Sequence, residues 1–238
     1  MNQLPIYLTI LFILITFFTV LLFYKASNRN RTLLLVILIW ITVQTVVALT
    51  GFFTVTNTIP PRIILLLALP LAIIAGTMVT MKGRRFIEGF DVKELSLLHT
   101  IRIGVELVLF LLFLNKALPQ LMTFEGRNFD LLVGISAPLI YYYGFIKRKL
   151  STRAIVTWNI VSLAILSFTV VNAILSAPTP FQKFGFEQPT VAVLYFPFVW
   201  LPGVVVPLVI MSHLVTIRSL LNAKSEKQLA LLSHQVGG

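Results

Sequence analysis

Apolar residues run along this chain in long unbroken stretches instead of alternating with polar ones. Seven such stretches, each ended by charged or turn-forming residues, lie at about 5–24, 32–55, 62–81, 95–114, 129–147, 153–175 and 190–218. A helix needs about 20 mainly apolar residues to cross about 30 Å of hydrocarbon. A membrane β-barrel would instead alternate apolar and polar positions. The pattern therefore predicts an all-α bundle of seven transmembrane helices.

Composition agrees with this prediction, because 58% of the residues are hydrophobic and only 11% are charged, against roughly a quarter charged in soluble domains. We expect one membrane domain over residues 1–220 and a short cytoplasmic amphipathic tail over 221–238. The first stretch has no basic residue before it, and Lys25, Arg29 and Arg31 follow it. We therefore expect a retained helix and not a secretory signal.

The basic residues predict the orientation of the chain. Most of its 19 lysines and arginines fall near residues 25–31, 82–93, 147–153 and 218–227, which share one side of the membrane if the segments cross in turn. Loops rich in lysine and arginine stay inside, so the N-terminus is expected outside and the C-terminus inside. The net charge of +11 then suits an anionic inner leaflet. No nucleic-acid partner is expected, since no soluble fold presents these residues.

The fourth stretch carries ionisable residues on one face. Within LLHTIRIGVELVLF, residues 97–110, His99, Arg102 and Glu106 fall within an arc of about 60° on a helix. Buried charges in a membrane are costly and usually functional, so we expect Arg102 and Glu106 to pair and to face the bundle interior. Asn159 and His213 join the same layer if the fourth, sixth and seventh helices adjoin. A purely structural ion pair is the alternative.

The seventh stretch, YFPFVWLPGVVVPLVIMSH, contains Pro197, Pro202 and Pro207. Each proline removes an amide hydrogen and crowds the preceding turn, so the helix is expected to kink or break. The carbonyl groups that lose their partners are those of Val193, Phe198 and Gly203. They must be satisfied by neighbouring groups or water. Broken helices with binding sites near the midplane are typical of transporters, although packing alone also explains prolines in spanning helices.

The outer loop LPQLMTFEGRNFD is the most polar connection on its side. Asn128 or Asp130 is expected to cap the following helix. Glu125 and Arg127 are expected to pair with each other or with Lys116. Contact of Glu125, Arg127 and Asp130 with a ligand at the outer face is the alternative.

The absence of cysteine excludes disulfides, thiolate metal sites and cysteine nucleophiles. Three function classes remain. The first is a membrane protein whose polar cavity binds or transports a small solute or proton. The second is a redox protein holding haem or a metal between His99 and His213. The third is a non-catalytic sensor or assembly component that contacts a protein partner. An enzyme is the least supported class, and no cofactor is predicted.

Two segments carry a resemblance, RIGVELVLFLLFLNKALPQLMTFEGRNFDLLVG and LYFPFVWLPGVVVPLVIMSHL. They resemble a group of bacterial seven-helix inner-membrane proteins that share the MTFEGRNFD-type outer loop. The resemblance covers the fourth, fifth and seventh helices. It implies a multi-pass protein of the bacterial inner membrane and brings no activity with it.

Overall fold

The structure, a computed structural model, describes the backbone of residues 4–236 and the side chains of residues 4–223. Within these residues the chain is helical and contains no strand. The α-helices are α1 (Ile6–Ala26), α2 (Arg31–Leu49), α3 (Ile64–Val79), α4 (Met81–Glu88), α5 (Val92–Leu98), α6 (Ile101–Leu114), α7 (Asp130–Leu139), α8 (Thr152–Ser176) and α9 (Val206–Val236). A π-helical segment, Ile140–Ile146, extends α7, and another, Leu201–Val205, precedes α9.

Five helical segments are long and apolar enough to cross a membrane: Ile6–Ala26, Arg31–Leu49, Val92–Leu114, Thr152–Ser176 and Leu201–Ala223. A sixth is counted if α3 and α4, bent by 90° at Thr80, form one broken span. The apolar segment Asp130–Ile146 is shorter than these. The fold is therefore that of a multi-pass membrane protein, in which the structure shows five or six spans by length and composition.

Large apolar side chains on the outside of the bundle fit this conclusion. One face of α2 exposes Leu35, Val36, Ile39, Val43 and Val46. Water-exposed apolar patches of this extent are rare in soluble proteins and mark a surface that contacts lipid or a partner.

The second stretch ends earlier than predicted, whereas the third ends close to its predicted bound at residue 81. The second was expected to reach residue 55, but α2 ends at Leu49 because Gly51 adopts a left-handed conformation (φ 75°) and a 3₁₀ turn, Phe52–Thr54, follows it. The third breaks at Thr80, whose hydroxyl accepts a hydrogen bond from the amide of Gly83 at 3.2 Å and so caps α4.

The segments α5 and α6 lie at the centre of the bundle. Asp91 caps α5 by accepting a hydrogen bond from the Lys93 amide at 2.9 Å. A turn at residues 99–100 separates α5 from α6. The helix α5 packs against α1 and α9, while α6 packs against α1 and α7, and α8 packs against α9. The fourth, sixth and seventh apolar stretches are thereby brought into one core.

The last stretch begins later than predicted. Residues 195–199 form turns, and regular helix starts only after the π-helical segment. The helix α9 then continues to Val236. The amphipathic tail predicted for 221–238 concerns side chains that lie almost entirely outside the described residues.

Candidate functional site

A buried ion pair connects α6 to α7. Nη1 of Arg102 lies 3.4 Å from Oδ1 of Asp130, and both side chains are almost completely shielded. The prediction that Arg102 pairs with Glu106 is therefore wrong, because the ion-pair partner of Arg102 is Asp130. The cap of α7 was expected to be Asn128 or Asp130. Asp130 is the first residue of α7 and its side chain caps nothing, whereas Oδ1 of Asn128 accepts a hydrogen bond from the Asp130 amide at 3.1 Å.

Gly134 explains why Asp130 reaches Arg102. A Cβ atom at position 134 would lie 2.9 Å from the backbone nitrogen of Ile103 and 3.3 Å from Cβ of Arg102, so only glycine allows α7 to approach α6 this closely. Asp130 precedes Gly134 by four residues and therefore lies on the same face of α7. The close helix contact directs its carboxylate towards Arg102.

Asn128 connects Glu106 to the rest of the site. Its Nδ2 donates to Oε1 of Glu106, and also to the carbonyl of Met122 at 3.1 Å. Its Oδ1 accepts hydrogen bonds from the Thr169 hydroxyl at 3.0 Å and from the Asp130 amide at 3.1 Å. Asn128 thus holds one carboxyl oxygen of Glu106 and links it to Asp130 and Thr169. Together, Arg102, Glu106, Asn128, Asp130 and Thr169 form what we call the charged cluster.

The outer-loop residues Glu125 and Arg127 lie apart from this cluster and are exposed. The guanidinium of Arg127 lies 5.5 Å above the ring of Phe184. Neither residue forms a salt bridge with any residue whose side chain is described. The expected pairing of these two side chains with each other or with Lys116 is therefore wrong.

Four residues of the charged cluster, Arg102, Glu106, Asp130 and Thr169, form a polar patch in the wall of a cavity of about 300 Å³ between α3, α6, α8 and the start of α9. The other walls are almost entirely apolar: they include Leu67, Leu71, Val105, Leu109, Leu166, Ala173, Val205 and Val209. The cavity is large enough for a small molecule, and its chemistry suits one with an apolar body and a polar end.

Several atoms of the charged cluster have unused hydrogen-bonding capacity. Among the described residues, Nε, Nη1 and Nη2 of Arg102 have no hydrogen-bond acceptor, and neither Oε2 of Glu106 nor Oδ1 of Asp130 has a donor. The Arg102–Asp130 contact of 3.4 Å is an ion pair without a hydrogen bond. Buried polar groups are normally satisfied, so these atoms indicate a site where a ligand would gain hydrogen bonds.

The histidines form a second cluster, and the structure brings His99 and His213 together. Their rings stack with centroids 3.8 Å apart and planes 12° from parallel. Trp158 packs against both, at 5.6 Å from His99 and 5.9 Å from His213. Nδ1 of His213 lies 2.8 Å from Oδ1 of Asn159. Since an amide oxygen only accepts hydrogen bonds, His213 donates here, and Asn159 fixes the orientation of its ring.

This arrangement does not favour the haem alternative. Two histidines that hold one metal direct their ring-nitrogen lone pairs so that they converge on the ion, whereas lone pairs in two nearly parallel ring planes do not converge. No group of three or more histidine, aspartate or glutamate side chains suited to a metal occurs in the part of the chain that the structure describes. The histidine cluster also contributes no side chain to the cavity lining.

The prolines interrupt the backbone hydrogen bonds at the start of α9, where α2 packs against it. Pro207, in the first turn of α9, cannot bond the carbonyl of Gly203, and this carbonyl accepts instead from Nε1 of Trp40 at 2.9 Å and Nε2 of Gln44 at 3.2 Å. The expectation that a neighbouring group satisfies this carbonyl is confirmed. Pro202 lies in the π-helical segment and lines the cavity. Pro197 lies in the preceding turn, so the carbonyl of Val193 is not part of a broken helix.

One functional signal in the sequence was overlooked, the polar face of α8. Asparagine, serine and threonine side chains recur there every three or four residues, with Leu166 filling the gap, and all of them are buried: Asn159, Ser162, Thr169, Asn172 and Ser176. This spacing marks one face of a helix. It would have placed Thr169 in the interior beside the charged cluster. Nothing in the sequence indicated that Asn128 binds Glu106.

The fold and this site define an integral membrane protein with a buried charged cluster in the wall of a mostly apolar cavity. The sequence model of one protein family, Domain of unknown function (DUF8737), matches residues 59–221, well over half of the chain. The chain belongs to this family. The matched residues include the charged cluster, the histidine cluster and the cavity lining. Comparison with curated proteins and with solved structures found no match.

Proposed function

We propose that this protein binds a small amphipathic molecule taken from the bilayer, with the apolar part in the cavity and the polar end at the charged cluster. The observation that carries this proposal is the grouping of Arg102, Glu106 and Asp130 in one patch of an otherwise mostly apolar cavity wall. A cavity that took up a polar solute from water would need polar walls along its length. The sequence-based hypothesis of a solute or proton site is thereby narrowed to a lipid-like ligand.

The cost of burying the charged cluster supports a functional role. A charged side chain at the bilayer centre costs on the order of 3 kcal/mol on insertion scales, and a buried ion pair seldom repays its desolvation. A structural pair would be expected to use all its hydrogen bonds, yet three nitrogens of Arg102 lack an acceptor. Unpaired hydrogen-bond donors beside a cavity are typical of a binding site and not of an ion pair that only stabilises the fold.

Retention of bilayer molecules by the purified protein tests this proposal. Ala173 on α8 lines the cavity, whereas Ala164 on the same helix is exposed and does not line it. We expect mass spectrometry to find an amphipathic molecule in near-stoichiometric amount in the wild type and in Ala164→Phe, but not in Ala173→Phe. Equal retention by wild type and Ala173→Phe would refute binding in this cavity.

We further propose a seven-span topology in the bacterial inner membrane, with the N-terminus outside. The contacts at the helix ends support it. On one side, the Ala26 carbonyl accepts from the Asp91 amide at 2.8 Å, and Arg218 donates to the carbonyl of Met78 at 2.9 Å. On the other side, Gln188 donates to the carbonyls of Phe113 and Leu118. The basic loops adjoin the first set of contacts, which we assign to the inner side.

Cysteine labelling tests the topology directly, because the chain has no cysteine of its own. Glu125 and Lys149 are both exposed and flank the short apolar segment Asp130–Ile146. In intact cells we expect a membrane-impermeant maleimide to label Glu125→Cys but not Lys149→Cys, which should become labelled only after permeabilisation. Labelling of both in intact cells would show that this segment does not cross the membrane, and the reverse pattern would invert the orientation.

A further inference from the structure

The unpaired atoms of the charged cluster that line the cavity are of two opposite kinds. Arg102 offers hydrogen-bond donors, while Oε2 of Glu106 and Oδ1 of Asp130 offer acceptors. All three side chains are more than nine-tenths buried and line the cavity. A carboxylate or phosphate mainly accepts, and an ammonium only donates. A group that does both, such as a hydroxyl, is the type that pairs with both sides of the cluster.

The charge of the cluster leads to the same conclusion. One guanidinium faces two carboxyl groups, so the cluster carries one negative charge if both are ionised and none if one is protonated. While Asp130 is ionised as the ion-pair partner of Arg102, no positive charge remains for an anionic ligand in either state. An added anion would be an uncompensated charge among apolar walls, which is strongly unfavourable. A cation could balance the single negative charge, but an ammonium has no acceptor and would leave the donors of Arg102 unpaired.

We propose that the ligand of this cavity has an uncharged polar end that both donates and accepts hydrogen bonds, a hydroxyl group being the simplest case. The inference rests on the proposed function and names the chemical class of its ligand. The hydroxyl oxygen accepts from Arg102, and its hydrogen is donated to Glu106 or Asp130. The apolar body is larger than a benzene ring, because benzene fits a cavity of about 150 Å³ and this one is about 300 Å³.

Four probes with the same apolar chain isolate the polar end: decanol, decanoate, decylamine and decane. The thermal unfolding midpoint Tm of the detergent-purified full-length protein is followed as each probe is titrated. A pH of about 8 keeps the acid and the amine charged, since their ordinary pKa values are about 4 and about 10. Each probe also partitions into the detergent micelle, and this effect on Tm is the same for all variants. The Tm change of Ala173→Phe is therefore subtracted from that of the wild type, and Ala164→Phe is the matched control for adding a phenylalanine to α8.

We expect decanol to raise the Tm of wild type and Ala164→Phe, with an apparent affinity at least about tenfold higher than that of decanoate, decylamine or decane. Asp130→Asn and Glu106→Gln each remove one carboxyl charge. In both variants we expect a smaller ratio between the apparent affinities for decanol and for decanoate. Glu106→Gln keeps an oxygen to accept from Asn128 and so provides the test if Asp130→Asn does not fold.

The outcomes separate this inference from the proposed function. Decanoate or decylamine binding as tightly as decanol, with the response lost in Ala173→Phe, would overturn the inferred polar end while leaving a cavity that binds amphipathic molecules. Decane matching decanol would likewise overturn it. No difference between wild type and Ala173→Phe for any probe would overturn the proposed function itself.

Discussion

Arg102 and Asp130, on two neighbouring helices, form a buried ion pair with 3.4 Å between Nη1 and Oδ1. Only the glycine at position 134, one turn beyond Asp130, lets their backbones come so close. The pair therefore depends on a helix contact as well as on charge. This relationship allows the charge and the contact to be tested separately.

Removing one member of the pair should destabilise the protein strongly. Asp130→Ala leaves the Arg102 guanidinium buried without its counterion, which typically costs about 3–5 kcal/mol. We expect a corresponding fall in the free energy of unfolding in detergent. The double variant Arg102→Met with Asp130→Leu should recover much of it, because apolar residues of similar volume carry no desolvation cost.

The pair between Lys25 and Glu94 is the control for this prediction. Its nitrogen–oxygen distance is 3.1 Å, shorter than that of the buried pair, but the lysine side chain is 54% exposed. Glu94 is only 12% exposed, so Lys25→Ala also removes the counterion of a shielded carboxylate, but water can reach the lysine end of the pair, and we expect a smaller loss than in Asp130→Ala. If Asp130→Ala and Lys25→Ala lowered the free energy of unfolding by the same amount, burial would not explain the cost of breaking the Arg102–Asp130 pair.

The helix contact is tested by adding one methyl group. Gly134→Ala places a Cβ atom against the backbone of Ile103 and should separate α6 from α7, with a loss of about 1–3 kcal/mol as expected for overpacking. Gly76→Ala is the matched control, because Gly76 also lies inside a helix and has open space around it. That variant should gain up to about 1 kcal/mol in helix propensity. Thermal unfolding of both variants measures the difference, and a neutral Gly134→Ala would contradict the tight contact.

The sequence revealed the apolar segments well because hydrocarbon imposes a length and a composition on any spanning helix. It revealed their ends less well. The glycine at position 51 and the prolines before α9 interrupt the helix inside stretches that remain apolar. Local spacing correctly placed Arg102 and Glu106 in the interior. The ion-pair partner predicted from this spacing was wrong. The pairing depends on Gly134 and Asn128, which are distant from Arg102 in the sequence, and not on positions along one helix.

The opened turn before α9 gives a further prediction. Trp40 and Gln44 both donate to the carbonyl of Gly203, and an unsatisfied buried polar group costs about 1–3 kcal/mol. The double variant Trp40→Phe with Gln44→Leu should lose about that much stability in thermal unfolding. Adding Pro207→Ala should restore part of the loss, since an alanine amide can bond the carbonyl four residues earlier. If Pro207→Ala worsened the double variant, the proline would not be the cause of the free carbonyl.

The two buried clusters should respond differently to mutation. Arg102 lines the cavity and the stacked histidines do not, so Arg102→Lys or Glu106→Gln should impair ligand retention more than His99→Ala. Arginine presents a planar fork of donors that lysine cannot reproduce, and we expect Arg102→Lys to weaken the decanol response by about tenfold. His213→Ala should instead lower stability, because it removes both the stack on His99 and the hydrogen bond to Asn159.

An optical spectrum and metal analysis of the purified protein complete this comparison. The lone pairs of two nearly parallel rings stacked 3.8 Å apart do not converge on one ion, so we expect no Soret band and no stoichiometric metal in the wild type. A haem or metal signal lost in both His99→Ala and His213→Ala would make the histidine cluster the functional centre and the charged cluster its support. If the histidine variants retain the decanol response while Arg102→Lys loses it, binding depends on the guanidinium, and the stacked rings serve to hold α5 against α9.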